Sequence, residues 1–170
     1  SSVLLYELKS KFPVTPIYIK SGYVWEETEL ECVKKLTRDL DLDLETFNIQ
    51  VEDIYPDHWS LTGEKVPGEN TEDSAVELPG RNILLLSKTA LFCSLNNIQK
   101  LYLGTLDAPF SDAKSSFFSS FSRSLSQGLD HNIEINTPYR SNKKSKIIKK
   151  GFQQNVPLDK TFSCIKPIDG

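Results

Sequence analysis

The segment Leu78-Pro79-Gly80-Arg81-Asn82 runs directly into Ile83-Leu84-Leu85-Leu86-Ser87-Lys88-Thr89-Ala90-Leu91-Phe92. A Pro-Gly turn thereby sets a guanidinium and an amide on the first turn of a long apolar segment. If that segment is helical, its unpaired backbone N–H groups and its dipole favour an anion at this end, and Arg81 adds a full positive charge. Such an arrangement can hold a phosphate, a carboxylate or a purine edge. The same residues also read as a plain Pro-Gly turn with Asn82 as the helix N-cap.

The elements that must position these residues alternate along the chain. A helix is under way from residue 1 (Val3, Leu4, Leu5, Leu8), and Val14–Ile19 reads as a short buried strand that Pro16 weakens. Leu30, Val33, Leu36 and Leu40 predict a helix over Glu26–Leu40, and Leu44–Ile49 predicts a second strand. Asp53–Leu78 is polar, rich in Pro and Gly and without period, a long excursion of the kind that is usually functional or mobile. A helix over Asn82–Leu95, a strand over Lys100–Gly104, an amphipathic helix over Ser115–Leu125, a strand over Asn132–Asn136 and a basic helix Lys143–Lys150 stopped by Gly151 complete the pattern. Strands alternating with helices point to an α/β fold with a parallel sheet covered on both faces. Ligands bind such sheets at the carboxyl ends of the strands, so the loops after Ile19, Gly104 and Asn136 matter most.

Each of those loops has two readings. In Lys20-Ser21-Gly22-Tyr23 the glycine lets a flat base approach the backbone, or simply closes a strand-end turn. The Gly104–Lys114 loop carries Asp107, Asp112 and Lys114 ahead of a helix start, and Ser111 or Asp112 could equally cap that helix. After Thr137-Pro138, the lysines from Lys143 to Lys150 spread around a short helix as a solvated face. One of them could still neutralise a polyphosphate as a point charge.

Composition sets bounds. With 170 residues and 38% apolar content, a single domain over residues 1–170 is the expectation. A net charge of −3 argues against a general nucleic-acid binder. No apolar run approaches the ~20 residues that span a bilayer. Three widely spaced cysteines, Cys32, Cys93 and Cys164, make a disulfide framework unexpected and fit a reduced, cytoplasmic protein. Neither His58 nor His131 sits in a catalytic constellation, and a lone Cys164 is one donor where structural zinc needs four. Met is absent and the chain opens on Ser1-Ser2, which reads as a trimmed start.

Taken in order, these pieces resemble the PP-loop ATP pyrophosphatase family, nearest its 7-cyano-7-deazaguanine synthases of queuosine biosynthesis. The resemblance rests on Pro79-Gly80-Arg81-Asn82 with its apolar helix, the glycine-ended strand at Gly104, Asp112-Ala113-Lys114-Ser115-Ser116-Phe117, Thr137-Pro138 with Lys144 downstream, and Thr161-Phe162-Ser163-Cys164. It implies a three-layer, doubly wound parallel sheet of the adenine nucleotide alpha hydrolase-like (HUP) type, truncated at both ends. The implied reaction uses ATP with Mg2+ to adenylate the carboxylate of 7-carboxy-7-deazaguanine, and ammonia then leads through an amide to the nitrile. By resemblance Arg81 and Lys144 are catalytic, Ser1, Ser2, Gly22 and Gly104 bind ATP, and Asn82, Asp112 and Lys114 bind the substrate. Cys164 would be the first of four Zn2+ cysteines, the others being expected beyond Gly170, and Ser1 with Ser2 the tail of a phosphate loop. The implied partners are a small-molecule carboxylate and ammonia, with no membrane, no nucleic acid and a homodimer allowed.

Two departures bear on substrate. Tyr23-Val24-Trp25 stands where these synthases have Gln-Arg-His, and Ala113-Lys114 replaces Cys-Arg, a point charge for a bidentate fork. They leave open a PP-loop enzyme acting on another carboxylate or a tRNA base, and a non-catalytic nucleotide-binding module.

Overall fold

Apolar side chains at helical spacing begin at Val3, and α1 spans Ser2–Lys9 with Val3 and Leu4 buried. In the computed structural model, which describes residues 1–68 and 70–164, the later elements are β1 (Ile17–Lys20), α2 (Glu26–Asp39), β2 (Glu45–Asn48), α3 (Trp59–Thr62), α4 (Arg81–Leu95), β3 (Lys100–Tyr102), α5 (Ser115–Leu129), β4 (Glu134–Asn136) and α6 (Lys144–Gln153). The chain divides into two compact units. A mid-chain unit comprises Ser1 with Glu72–Ile147, and a split unit comprises Ser2–Thr71 with the chain from Ile148 onward.

In the split unit β1 and β2 pair in parallel, Ile17 opposite Glu45 and Lys20 opposite Asn48. The strand expected from Val14 begins only at Ile17, because Pro16 has no N–H to give a ladder; its carbonyl still accepts from Glu45 N–H at 3.0 Å. Helix α2 connects the strands and buries Leu30 and Leu36. Glu26, Glu27 and Glu29 occupy its first turn and Arg38 its last, matching both ends of the helix dipole. Beyond Asp39, Asp41 is left-handed at φ 51, and Leu42 N–H donates to Thr37 O at 2.9 Å, a turn that satisfies a terminal carbonyl. The excursion of residues 53–78 is not structureless: it holds α3 and a 3-10 turn at Asp73–Val76.

In the mid-chain unit β3 and β4 pair in parallel, Lys100 opposite Glu134 and Tyr102 opposite Asn136. Leu86 of α4, Leu101 of β3 and Phe118 of α5 form one buried cluster, and Ala90, Cys93 and Ile133 a second. Helix α5 runs four residues past the expected end at Leu125. Its serines account for this. Ser122 Oγ donates to Ile133 O, and Ser126 Oγ accepts from Ile133 N–H at 2.9 Å, so the last turn fastens the chain entering β4. Both ladders are parallel and each is closed by a helical crossover, α2 in one unit and α5 in the other, which is the α/β pattern the sequence analysis expects. Among the described residues the pairing takes the form of two two-stranded ladders, one per unit.

Helix α6 does not stop at Gly151 but continues to Gln153. Gly151 is buried because the helix needs a close approach there: a Cβ would lie 3.0 Å from Val3 Cγ2 and 3.1 Å from Leu158 Cδ2. Lys150 Nζ pairs with Glu7, and Lys160 Nζ with Asp39 at 2.7 Å, both within the split unit. No helix among the described residues is long and apolar enough to cross a membrane.

Two expectations follow from this packing. Gly151→Val overpacks the contact with Val3 and Leu158 and should cost about 1–3 kcal/mol in urea unfolding. Gly151→Ala should cost less, because Ala recovers about 1 kcal/mol of helix propensity; equal stability of wild type and the Val variant would contradict the close approach. Burial raises the Cys93 thiol above its usual range and disfavours the thiolate. A thiol reagent at pH 8 should therefore modify exposed Cys164 well before Cys93, as peptide mapping of the labelled protein would report.

Candidate active site

The start of α4 is where the sequence analysis places an anion, and the structure fills it with a carboxylate of the same unit. Gly80 adopts φ 77, the left-handed region that a side chain disfavours, and turns the chain into the helix. Arg81 N–H donates to Leu78 O at 3.1 Å. The next donor, Asn82 N–H, has no carbonyl within its own helix. Asp112 Oδ2 accepts from it at 2.8 Å. The Asn82 side-chain amide donates in turn to Asp112 O at 3.1 Å and Oδ1 at 3.4 Å. Asp112 is only 8% exposed, so this charge-assisted clasp sits away from solvent at the positive end of the helix dipole.

Two readings are corrected here. Asn82 is not the N-cap of α4: it is the second helical residue, and Gly80 holds the cap position. Nor do Ser111 or Asp112 cap α5, whose N-cap position is Lys114, without a side-chain cap bond. The physical reason is burial. The α5 start is exposed at Lys114, Ser115 and Ser116, where water can serve the free N–H groups, whereas half-buried Asn82 needs a protein acceptor. The 3-10 turn Ser111–Ala113, with Ala113 buried, carries Asp112 to α4 instead.

The cations of this unit stand differently. Arg81, Lys114 and Lys144 are all exposed. Lys144 opens α6, with Lys143 before it, Lys146 after it and no acidic residue in the first turn, so like charges gather at the positive end of a helix dipole. After β3, a Cβ on Gly104 would lie 2.9 Å from Ser1 Cα and 3.3 Å from Ser1 Oγ. Only glycine lets Ser1 come so close. Thus Asn82 meets Asp112 directly, Ser1 meets Gly104, and Lys114 and Lys144 follow on the loops after β3 and β4.

In the split unit the loop after β1 is built around a second buried carboxylate. Glu26, 5% exposed, accepts from Ser21 N–H and from Gly22 N–H, the latter at 2.9 Å. Gly22 has φ 78, and a Cβ there would lie 2.9 Å from Glu52 Oε1. Lys20 Nζ lies 4.0 Å from Glu26 and 3.7 Å from Glu27. Ser2 opens α1. Beside this loop stands a feature absent from the sequence reading: Tyr23 stacks on Trp25 at 5.0 Å between ring centroids, and Trp25 on Trp59 at 5.4 Å. The signal was present in Tyr23 and Trp25 just past the first predicted strand and in Trp59 within the excursion. Their contact, across more than thirty residues, was not legible.

His58 and His131 hold structure. His58 Nδ1 accepts from Ser60 N–H at 3.3 Å and caps α3, while His131 Nε2 donates to Ile98 O at 2.9 Å. Cys164 is exposed, and among the described residues no group of three or more His, Cys, Asp or Glu is placed to hold a metal ion.

Asp112→Ala removes the acceptor for a half-buried N–H and should lower stability by about 1–3 kcal/mol. Asp112→Asn, which keeps one acceptor oxygen, should lose less. Chemical unfolding of both variants measures this, and an alanine variant as stable as wild type would show that the clasp is not needed.

The chain is similar to known proteins along its whole length. A family model described as "Queuosine biosynthesis protein QueC" matches residues 1–170. The chain is 27% identical over 169 residues to 7-cyano-7-deazaguanine synthase 1 of Desulfitobacterium hafniense, covering 96% of this chain and 76% of that protein. It is 30% identical over 179 residues to the 7-cyano-7-deazaguanine synthase of a Sulfurihydrogenibium species, covering 98% and 80%. To that of a Sulfurovum species it is 26% identical over 168 residues, covering 93% and 75%. A family model that matches the whole length, residues 1–170, places this chain in the QueC family.

Proposed function

We propose that this chain carries out the reaction its relatives are named for, forming 7-cyano-7-deazaguanine from 7-carboxy-7-deazaguanine. The observation that supports the reading is the family match along residues 1–170. In this chemistry the carboxylate attacks the α-phosphorus of ATP and pyrophosphate leaves. Ammonia then displaces AMP to give the amide; the amide oxygen attacks the α-phosphorus of a second ATP, pyrophosphate leaves, and elimination of AMP, which carries that oxygen away, with loss of the N–H protons gives the nitrile. We read residues 1–170 as one PP-loop domain, three widely spaced cysteines as suited to a reducing, cytoplasmic setting, and a second copy of the chain as an allowed partner.

Roles follow from physical character. The Asn82–Asp112 clasp already supplies a negative charge to α4, so Asn82 and Asp112 act on the substrate as a fixed hydrogen-bonding pair rather than as free groups. Arg81, exposed one residue earlier, brings a full positive charge to stabilise negative charge developing on the carboxylate or the leaving phosphate. Lys144 offers a point charge to the nucleotide, and the electrostatic strain of lysines at the α6 start is relieved when an anion binds. Lys114 faces the substrate's anionic part. Ser1, Ser2, Gly22 and Gly104 belong to backbone that a nucleotide can approach closely. Mg2+ arrives on the ATP phosphates. Cys164, exposed in this chain, would be one of the four zinc cysteines that the resemblance implies, the other three being expected beyond Gly170.

The full-length enzyme with ATP, Mg2+, ammonium and 7-carboxy-7-deazaguanine should release pyrophosphate and form a nitrile detectable by mass. Release only with another carboxylate, or only with tRNA, would overturn the substrate. Arg81→Ala should lower kcat/KM at least ~100-fold, about 2.7 kcal/mol of transition-state stabilisation, with unfolding unchanged. Lys144→Ala should raise KM for ATP ~10-fold without loss of stability, because it removes a repelled charge. A Lys144 variant that loses stability but keeps its KM would show a structural lysine.

A further inference from the structure

We propose, on the reading above that Gly22 lies against the nucleotide, that Glu26 is a positioning residue: it touches no substrate but holds the loop after β1 in the conformation that binds. One oxygen carries the grip. Glu26 Oε2 accepts from both Ser21 N–H and Gly22 N–H, the latter at 2.9 Å. Two donors meeting on one oxygen fix two consecutive peptide planes, where a single bond would leave the second free to turn. Burial accounts for only half of this. Ser21 is 3% exposed, so its N–H needs a protein acceptor. Gly22 is exposed, and water could serve its N–H equally well. Desolvation does not demand the second bond, and its effect is to hold Gly22 at φ 78.

The carboxylate itself stands on a fixed base. Tyr18 and Lys20 share one face of β1, and both engage the first turn of α2. Tyr18 Oη donates to Glu29 Oε2 at 2.8 Å, and Lys20 Nζ lies 4.0 Å from Glu26 Oε1. Lys20 O accepts from Ile49 N–H at 2.8 Å, which ties the peptide entering the loop to the chain leaving β2. Glu26 does not cap its own helix. Trp25 holds the cap position of α2 without a side-chain cap bond, and Glu26, the first helical residue, turns back to residues five and four places earlier. Burying a carboxylate is costly. Here it produces a preformed backbone at the carboxyl end of a parallel strand, where open α/β sheets take their ligands. A carboxylate that held Mg2+ or moved a proton would have to reach the ligand, whereas Glu26 is 5% exposed and turned onto the loop's own N–H groups.

Shape rather than charge should then matter. Glutamine keeps an oxygen that can take both N–H bonds, aspartate is one methylene too short, and alanine has no acceptor. In the full-length protein, Mg-ATP binding is measured by calorimetry at a temperature where circular dichroism shows each variant fully folded. Glu26→Ala and Glu26→Asp should raise the Kd at least ~10-fold through lost preorganisation, and Glu26→Gln should stay within about threefold of wild type. Glu26→Gln should nonetheless lose stability in urea, because it gives up the charge at the α2 dipole and beside Lys20, so affinity and stability separate. An unchanged Kd in the alanine variant, or a glutamine variant that binds as weakly as alanine, would overturn positioning. The graded Kd series without formation of the nitrile would sustain the role of Glu26 while defeating the proposed reaction. Normal turnover by wild type, with unaltered Kd and kcat/KM in Glu26→Ala, would do the reverse. A wild-type protein that binds no Mg-ATP would defeat both.

Discussion

The mid-chain unit depends on one buried charge. Helix α4 opens on half-buried Asn82, whose backbone N–H has no acceptor within the helix, so leaving that donor unpaired would be costly. Asp112 resolves this from thirty positions downstream by accepting from the Asn82 amide while the Asn82 side chain donates back to the Asp112 residue. That reciprocity ties the α4 start to the loop after β3, and with it the turn that precedes α5. The arrangement also sets the electrostatics. The anion that a helix start attracts is already supplied by the chain, and Arg81, Lys114 and Lys144 are exposed.

The split unit applies the same device at its own strand end. Glu26 opens α2, reaches back to the peptide groups of Ser21 and Gly22, and keeps the loop in a conformation that only a glycine at position 22 takes easily. A buried carboxylate on backbone donors is favourable where the donors would otherwise be orphaned. In both units an internal carboxylate takes up the loop backbone donors, while Arg81, Lys114 and Lys144 are exposed. Binding then requires little ordering of the loops.

What the sequence revealed follows from how local each interaction is. The periodicity of α2 and α4, the strand around Ile17–Ile19 and the turn at Pro79-Gly80 are set by neighbours within a few residues, and these were legible. Pro16 marked the strand boundary for a reason visible in its chemistry. Gly151 misled because a glycine near a helix end usually terminates it; here it marks a close approach to Val3 and Leu158 that no local pattern reveals. The Ser-rich surface of α5 reads as solvated until Ile133 is known to lie beneath Ser122 and Ser126. Asp112 was singled out, but the helix it serves is the distant α4 rather than the adjacent α5. The aromatic column escaped for the same reason, since its rings come from two loops.

The claim that most of this depends on is that Asp112, not a ligand, occupies the α4 start. Hydrogen exchange at the Asn82 backbone amide in the full-length protein reports it directly. Protection should be strong in the ligand-free protein, unchanged by saturating Mg-ATP, and lost when Asp112 is replaced by alanine. An Asn82 amide that exchanges at the rate of an open helix end, and becomes protected only when ATP is added, would contradict the account.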